Sequence, residues 1–448
     1  MVARVYLIRN LIRIAFTTLF AMLILSPAGL AADASLKDDS FHYMRGGVND
    51  HLYTEWWYFN GISNDTQFIL TYILSDPDNI SGQRKTMVRA VVMEDDSKPL
   101  VASRSSEGFG ADRNNPSVDL AQSTAEALDG STYKASGGAA DEVTGAPLSW
   151  DLTYRATLSP WYPAPTQNPV GHLIGDWMKW LVYMPSARVS GIITLDNKTI
   201  DIDGTGYHDH IWGKWAFNDP TWTWAQVSVP EENFSLILRD TNGANRNIIL
   251  GIQHEGQISK FTSRQVKVSY DDFTLDMETA RTYPLSYSID ADNGDLKLSA
   301  RVDVQNSVPI TVDYPWPLPG YVIFEQVSRF NGTLRARGGE VYSFDRASFS
   351  EYTTHKIHTI YGKVNSTTPG AITVKATNQR TGQAKISQPS FSGYFSLDGN
   401  YTDYMENKTA LWVENNDIVS LKAEGPLGEI NGAEVVVNLT VHQQEAII

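Results

Sequence analysis

From about residue 54 onward, apolar and polar residues alternate with period two in short runs, each closed by Gly, Asn, Asp or Pro. Runs at 55–61, 67–74, 86–93, 189–195, 223–229, 234–239, 248–253, 296–304 and 435–441 place successive side chains on opposite faces, as strands do. The pattern predicts a mainly β chain. Segment 112–145 is rich in Ala, Ser, Gly and Asp and reads as an irregular loop excursion. In 169–184 the alternation gives way, and Leu173, Ile174, Trp177, Met178, Trp180 and Leu181 fall near helical spacing. That predicts one amphipathic helix, either plugging the end of a barrel or covering a ligand cavity as a lid.

Turn-forming residues mark the joints. Asn218-Asp219-Pro220 separates two β units, and a second boundary falls near 356–362, after which the composition shifts to Thr, Asn and Ser. The expected organisation is a leader over 1–31, an N-terminal β domain over 37–215, a second over 216–358, and a C-terminal β module over 361–448 to which the sequence attaches no role. The leader combines Arg4, Arg9 and Arg13 with an apolar run over 14–25 and small residues ending at Ala31, the layout of a secretory signal peptide. Its apolar run is short for a membrane span, and no later stretch reaches the roughly 18 apolar residues a spanning helix needs. The expectation is a secreted or otherwise extracytoplasmic protein without stable membrane insertion once the leader is removed.

Composition narrows the chemistry. Among 448 residues, 36 Lys and Arg face 51 Asp and Glu, a net charge of −15, and no basic run forms a local stripe, so nucleic acid is a poor partner. With no cysteine there is no disulfide framework, thiolate metal site or Cys nucleophile. The chain also lacks a Gly-x-Ser-x-Gly elbow, a Walker loop, a dinucleotide-binding glycine motif and a His-Glu-x-x-His pair, which removes support from hydrolase and nucleotide readings.

Two segments concentrate residues capable of chemistry. The first is Glu55-Trp-Trp-Tyr-Phe-Asn-Gly61. On a strand, Glu55, Trp57 and Phe59 share one face, and Thr54, Trp56, Tyr58 and Asn60 the other. A Glu55 turned inward among aromatic rings has its carboxyl pKa raised by desolvation and becomes a proton donor; otherwise the rings are core and Glu55 is salt-bridged or exposed. The second is Gly206-Tyr-His-Asp-His-Ile-Trp-Gly213, with Tyr207, Asp209 and Ile211 on one side and His208, His210 and Trp212 on the other. A His-x-His pair suits Zn, Cu or Fe but needs a third ligand that spacing does not identify, and we expect neither a metal nor a cofactor. The competing readings are an acid/base His–Asp group beside an indole face able to stabilise a cation, and a hydrogen-bonded cluster that locks a strand end.

These motifs, with Tyr183-Met-Pro-Ser-Ala-Arg-Val-Ser-Gly191 between them and Thr282-Tyr-Pro-Leu-Ser-Tyr287 and the 320–352 stretch after them, resemble the carotenoid 1,2-hydratase (hydroxyneurosporene synthase) family, whose relatives include kievitone hydratase and lipocalin-like Diels–Alderases. The resemblance covers about 45–358. It implies two lipocalin-like antiparallel β-barrel or sandwich domains packed together, with an apolar cavity near their junction and the C-terminal β extension outside. It implies Asp209, His210 and Trp212 as catalytic residues, with Asp240 as the acidic residue on a following strand. Glu55, Trp57, Tyr207, His208 and Trp224 are expected to bind the substrate. The activity this suggests is addition of water to an alkene of an isoprenoid or similarly apolar molecule. A carrier that binds an apolar ligand unchanged, and a cyclase that orders a polyene, remain the alternatives, since 12 Trp and 21 Tyr suit all three.

Overall fold

A computed structural model describes residues 34–448 apart from 95–97, 164–171, 174, 215–220, 242–246, 277–278, 280, 313–320, 356–358, 365–371, 388, 390–393, 398–415, 426–427, 438–442 and 448. The leader expected over 1–31 lies outside the described residues. The architecture is almost wholly antiparallel β, as the alternation predicts, with isolated 3-10 turns such as Leu36–Asp39. No helix among the described residues is long and apolar enough to cross a membrane.

The first sheet contains β1 (Tyr53–Ser63), β2 (Thr66–Ser75), β3 (Lys85–Glu94), β4 (Leu100–Ser106), β5 (Phe109–Ala111), β6 (Ser117–Leu120), β7 (Ser123–Ala127), β8 (Thr132–Asp141), β9 (Pro147–Ala156), β10 (Trp177–Leu195) and β11 (Lys198–Lys214). Its order is β4-β3-β2-β1-β11-β10-β9-β8-β7-β6-β5, and a β4–β8 pairing brings it close to a closed barrel. Closure removes most of the exposed edge. The interior is filled by aromatic side chains, among them Trp57, Phe59, Tyr72, Tyr133 and Tyr154.

Two expectations are corrected here. Segment 112–145 carries β6, β7 and β8 rather than a loop: Ala and Ser have weak strand propensity, but pairing with neighbours decides. Its small core-facing residues Ala125, Ala135 and Ala139 leave room for the tyrosines. The helix expected over 169–184 gives way to β10 from Trp177 onward, where the residues pair with β11 over the full length of that strand. Only His172 and Leu173 are helical, and 169–171 and 174 lie outside the described residues. A run apolar on both faces mimics helical spacing; here one face is barrel core and the other is covered by the second sheet.

That second sheet is formed by β12 (Trp222–Val229), β13 (Phe234–Thr241), β14 (Asn247–His254), β15 (Gln257–Phe261), β16 (Val266–Tyr270), β19 (Ser286–Asp292), β20 (Leu296–Val312), β21 (Tyr321–Ala336) and β22 (Val341–His355), in the order β15-β14-β13-β12-β22-β21-β20-β19-β16. A small hairpin, β17 (Phe273–Asp276) with β18 (Arg281–Pro284), stands apart from it. The sheet has its own core, including Leu236, Leu238, Leu250, Ile289 and Phe330. A third buried cluster joins the two sheets: Tyr58, Ile69, Trp180 and Tyr207 from the first, with Trp161 bridged to Val182 beside them, meet Trp224, Ile237, Val327 and Phe349 from the second. Beyond 358, a four-stranded and a three-stranded sheet share a separate core around Val374, Leu421 and Phe395.

Candidate functional site

Alternation on β1 and β11 divides the chemistry between two faces. These strands pair antiparallel with Glu55 opposite Trp212, Trp57 opposite His210 and Phe59 opposite His208, and between them Trp56 opposite Ile211, Tyr58 opposite Asp209 and Asn60 opposite Tyr207. Opposed residues share a face. The first set points into the barrel and the second toward the other sheet.

Inside the barrel the polar side chains form a closed ionic cluster. Glu55, His208 and His210 are fully buried together with Asp39, which the Leu36–Asp39 turn delivers. His210 Nε2 is 2.9 Å from Glu55 Oε1 and its Nδ1 is 3.1 Å from Asp39 Oδ1. His208 Nε2 lies 3.0 Å from Asp39 Oδ2, and its Nδ1 lies 2.9 Å from the Tyr58 carbonyl oxygen. Tyr53 donates to Glu55 at 2.6 Å, and Tyr133 donates to Asp39. Burial by itself would lower the His210 pKa, but its two carboxylate partners outweigh this and raise it to about 9. Burial by itself would raise Asp39 and Glu55. The His208 and His210 contacts outweigh it for Asp39, and those of His210 and His42 for Glu55, holding both below their ordinary values. The result is an imidazolium held between two carboxylates. The Trp57 ring stacks on it at 4.5 Å, and His42 stacks on Trp212 at 3.8 Å. One ligand atom each from His42, Glu55 and His210 lies within 4.8 Å of the other two, so His42 is the third group that spacing alone does not identify. The same atoms are at hydrogen-bonding distance, which the shared proton already satisfies.

On the other face, a cavity of about 350 Å³ opens between the sheets. Its wall is mostly aromatic and aliphatic, with Trp56, Tyr58, Met178, Trp180 and Ile211 from the first sheet and Trp222, Trp224 and Ile323 from the second. Four carboxyls reach it: Asp76, which accepts from the backbone of Ile80 and Ser81 at 2.8 Å, and Asp209, Glu325 and Glu351. Glu325 and Glu351 stand directly opposite each other on β21 and β22, a placement that puts Cβ atoms about 4.5–5.5 Å apart and makes double ionisation costly. Burial, reinforced by the Glu351 charge and only partly offset by Arg89, pushes the Glu325 carboxyl well above its ordinary range. Glu351 is raised to about 7 by burial and the nearby Asp209, although Trp222 Nε1 donates to it at 2.8 Å. Asp209 is raised to about 6 by burial, against hydrogen bonds of 2.8 Å from both Trp180 Nε1 and the Tyr207 hydroxyl. At neutral pH this wall therefore holds carboxylic acid protons in water-poor surroundings.

The expected site residues are thus distributed over three places. Asp209 and Trp224 line the cavity, and Tyr207 supports Asp209 from the packed junction. Glu55, Trp57, His208, His210 and Trp212 belong to the barrel interior. Asp240 is buried on β13 in the second sheet, where Tyr270 donates to it at 3.1 Å; its neighbours Arg239 and Thr241 are the ones that face the cavity. A shift of one position along a strand changes the face. Glu325, Glu351, Arg239 and Trp180 were not anticipated. Their signal is a charge set within an apolar run, as in Tyr-Val-Ile-Phe-Glu at 321–325 and Leu-Ile-Leu-Arg at 236–239.

No family model matches the chain, and no curated protein does. Solved structures align with it. A protein of Nitrosomonas europaea assigned to AttH aligns with a TM-score of 0.50 at 15% identity, over 72% of this chain and 98% of its own. CghA with Sch210972 aligns at 0.46 and 14% identity, over 73% and 99% respectively. Kievitone hydratase from Nectria haematococca aligns at 0.46 and 13% identity, over 72% and 96%. The chain is similar in fold to the first of these over 72% of its length, a likeness consistent with the lipocalin-like architecture.

Proposed function

We propose that this chain is an enzyme that protonates a carbon–carbon double bond of an apolar small molecule held between the two sheets, with water capturing the resulting cation. In this reading Glu351, sharing a proton with Glu325, transfers it to one alkene carbon. The indole faces of Trp224, Trp180 and Trp56 stabilise the cation at about 0.5–2 kcal/mol each. Water adds to the cationic carbon, and its surplus proton passes to Asp209, raised to about 6 against about 7 for Glu351 and so the more readily ionised of the two, and from there back to the Glu351–Glu325 pair. The net change is one water added, a hydro-lyase reaction run in the hydration direction. The observation that carries the proposal is the set of three carboxyls raised in pKa, Asp209 and Glu325 buried and Glu351 half-buried, in a tryptophan-rich wall. A non-catalytic carrier has no use for groups so costly to bury. Cyclisation follows from the same protonation when an internal double bond, rather than water, captures the cation.

With the leader read at 1–31, we place the activity outside the cytoplasm on an isoprenoid or similar alkene. The test is incubation of purified protein with a panel of prenylated and carotenoid alkenes in water enriched in heavy oxygen. Uptake of one label per product supports hydration, and an isomer of unchanged composition supports cyclisation. Binding of the panel without any conversion overturns the enzymatic reading.

A further inference from the structure

The cavity wall also carries Lys85, Arg89 and Arg239; Arg89 lies 3.6 Å from the Glu142 carboxylate, and Arg239 is a cation that the proposed chemistry does not use. Arg239 extends from β13 into the cavity, half-buried, and its Nε has no hydrogen-bond partner among the described residues. The guanidinium lies 5.4 Å over the Trp180 ring, with Nη1 3.9 Å from the Met178 sulfur. Neither is an anion, and desolvation is what lowers the Arg239 pKa to about 10. Two residues along the same face, the Thr241 hydroxyl also lacks a partner among the described residues and also meets the cavity. An unpaired guanidinium in such a setting is expensive. A fork of N–H donors beside a hydroxyl matches the two oxygens of a carboxylate.

Register fixes where that head would lie relative to the acid. Arg239 is opposite Trp224, Trp224 is opposite Glu351, and Glu351 is opposite Glu325. The four residues form one row across β13, β12, β22 and β21. At about 4.8 Å per strand, roughly 10 Å separates the guanidinium strand from the Glu351 strand. Trp224 fills the gap between them.

We propose that the cavity takes an amphiphilic unsaturated acid, with its carboxylate on Arg239 and Thr241 and its reacting double bond about two strand spacings away at Glu351. A diphosphate head fits less well, since at Arg239 it would bring several negative charges to one guanidinium in a cavity whose wall already carries four carboxyls against Lys85, Arg89 and Arg239. The inference rests on the reading of this cavity as the substrate site, but it concerns recognition and is tested by binding.

The experiment titrates the full protein with farnesoic acid, methyl farnesoate and farnesol at pH 7.5, following quenching of tryptophan fluorescence. These probes share one chain and differ only at the head. The acid should bind at least about tenfold more tightly than the ester, as a charge-assisted pair implies. Arg239→Met should remove that preference while leaving ester affinity within about twofold, and Arg239→Lys should keep part of it. Equal affinity of acid and ester, absence of binding by both, or a preference that survives in Arg239→Met overturns the inference. If Arg239→Met does not fold, the native protein decides alone. The acid–ester gap must close below about pH 4, where the ligand carboxyl is neutral, and a gap that persists there counts against the pairing. Preferential binding of an acid that is never hydrated defeats the proposed chemistry and leaves this inference standing. Conversion of acid and ester with equal kcat/KM does the reverse.

Discussion

Replacing Glu351 by Gln should stabilise the protein at alkaline pH while removing its activity. The Gln side chain keeps the size and can still accept the 2.8 Å hydrogen bond from Trp222 Nε1, so packing is preserved. What changes is the proton. In the folded chain burial raises the carboxyl from 4.5 to about 7, so the folded state binds this proton more tightly than the unfolded one. Below about pH 4.5 both states are protonated and the group costs nothing. As pH rises through about 7, the folded state must give up the proton or hold it against solution, and stability falls. At about 1.4 kcal/mol for each tenfold in proton affinity, the accumulated loss above pH 7 is up to about 3 kcal/mol. Glu351→Gln escapes it. Urea unfolding at pH 4.5 should give nearly equal free energies for native and variant, and at pH 8 the variant should be more stable by up to about 3 kcal/mol. Alkene conversion should fall roughly a hundredfold or more in the same variant, the usual scale for loss of a general acid. A stability gap that does not widen with pH, or a variant less stable than the native chain at pH 8, would refute the assignment of Glu351 as a neutral acid.

Other perturbations separate the two faces. His210→Ala removes the cation between Asp39 and Glu55, leaving two buried carboxylates that keep only His208, His42 and their tyrosine donors, and should cost about 3–5 kcal/mol, read by denaturant unfolding at pH 7. Because the His210 pKa is raised to about 9, its contribution is complete below about 6.5 and lost as pH rises through about 9; melting temperatures of the native protein should fall across that window, and this fall should be absent in His210→Ala. Asp209→Asn can still accept from Trp180 and Tyr207 but removes a charge that raises Glu351. The alkaline limb of kcat/KM should therefore move to lower pH, and an unmoved limb would separate Asp209 from the acid pair. At Gly251 an added Cβ would run into the Trp161 ring at the junction of the sheets. Gly251→Ala should consequently lose about 1–3 kcal/mol by overpacking, measured by thermal or urea unfolding, and an unchanged stability would mean that the junction is looser than its packing suggests.

Much of this arrangement is written in strand parity, and the rest depends on register. Period-two alternation marks β20 over 296–304 because one face is buried at every second position there. The same parity separates Glu55, Trp57, His208, His210 and Trp212 from Trp56, Tyr58, Tyr207, Asp209 and Ile211 before any coordinates are seen. Parity does not say which face meets a cavity. Both faces of β1 and β11 are buried, one by the barrel's own core and the other by a sheet far along the chain. Burial on both sides also explains why 177–184 reads as helical, since a strand covered on both faces loses its alternation. The acid pair escapes the sequence for a further reason. Glu325 and Glu351 meet only through the β21–β22 register, and Arg239 joins their row only through β12. Hence adjacent residues of one motif should fail differently when changed. His210, held between two carboxylates, should fail in stability. Asp209, one position earlier and on the opposite face, should fail in the pH profile of the chemistry.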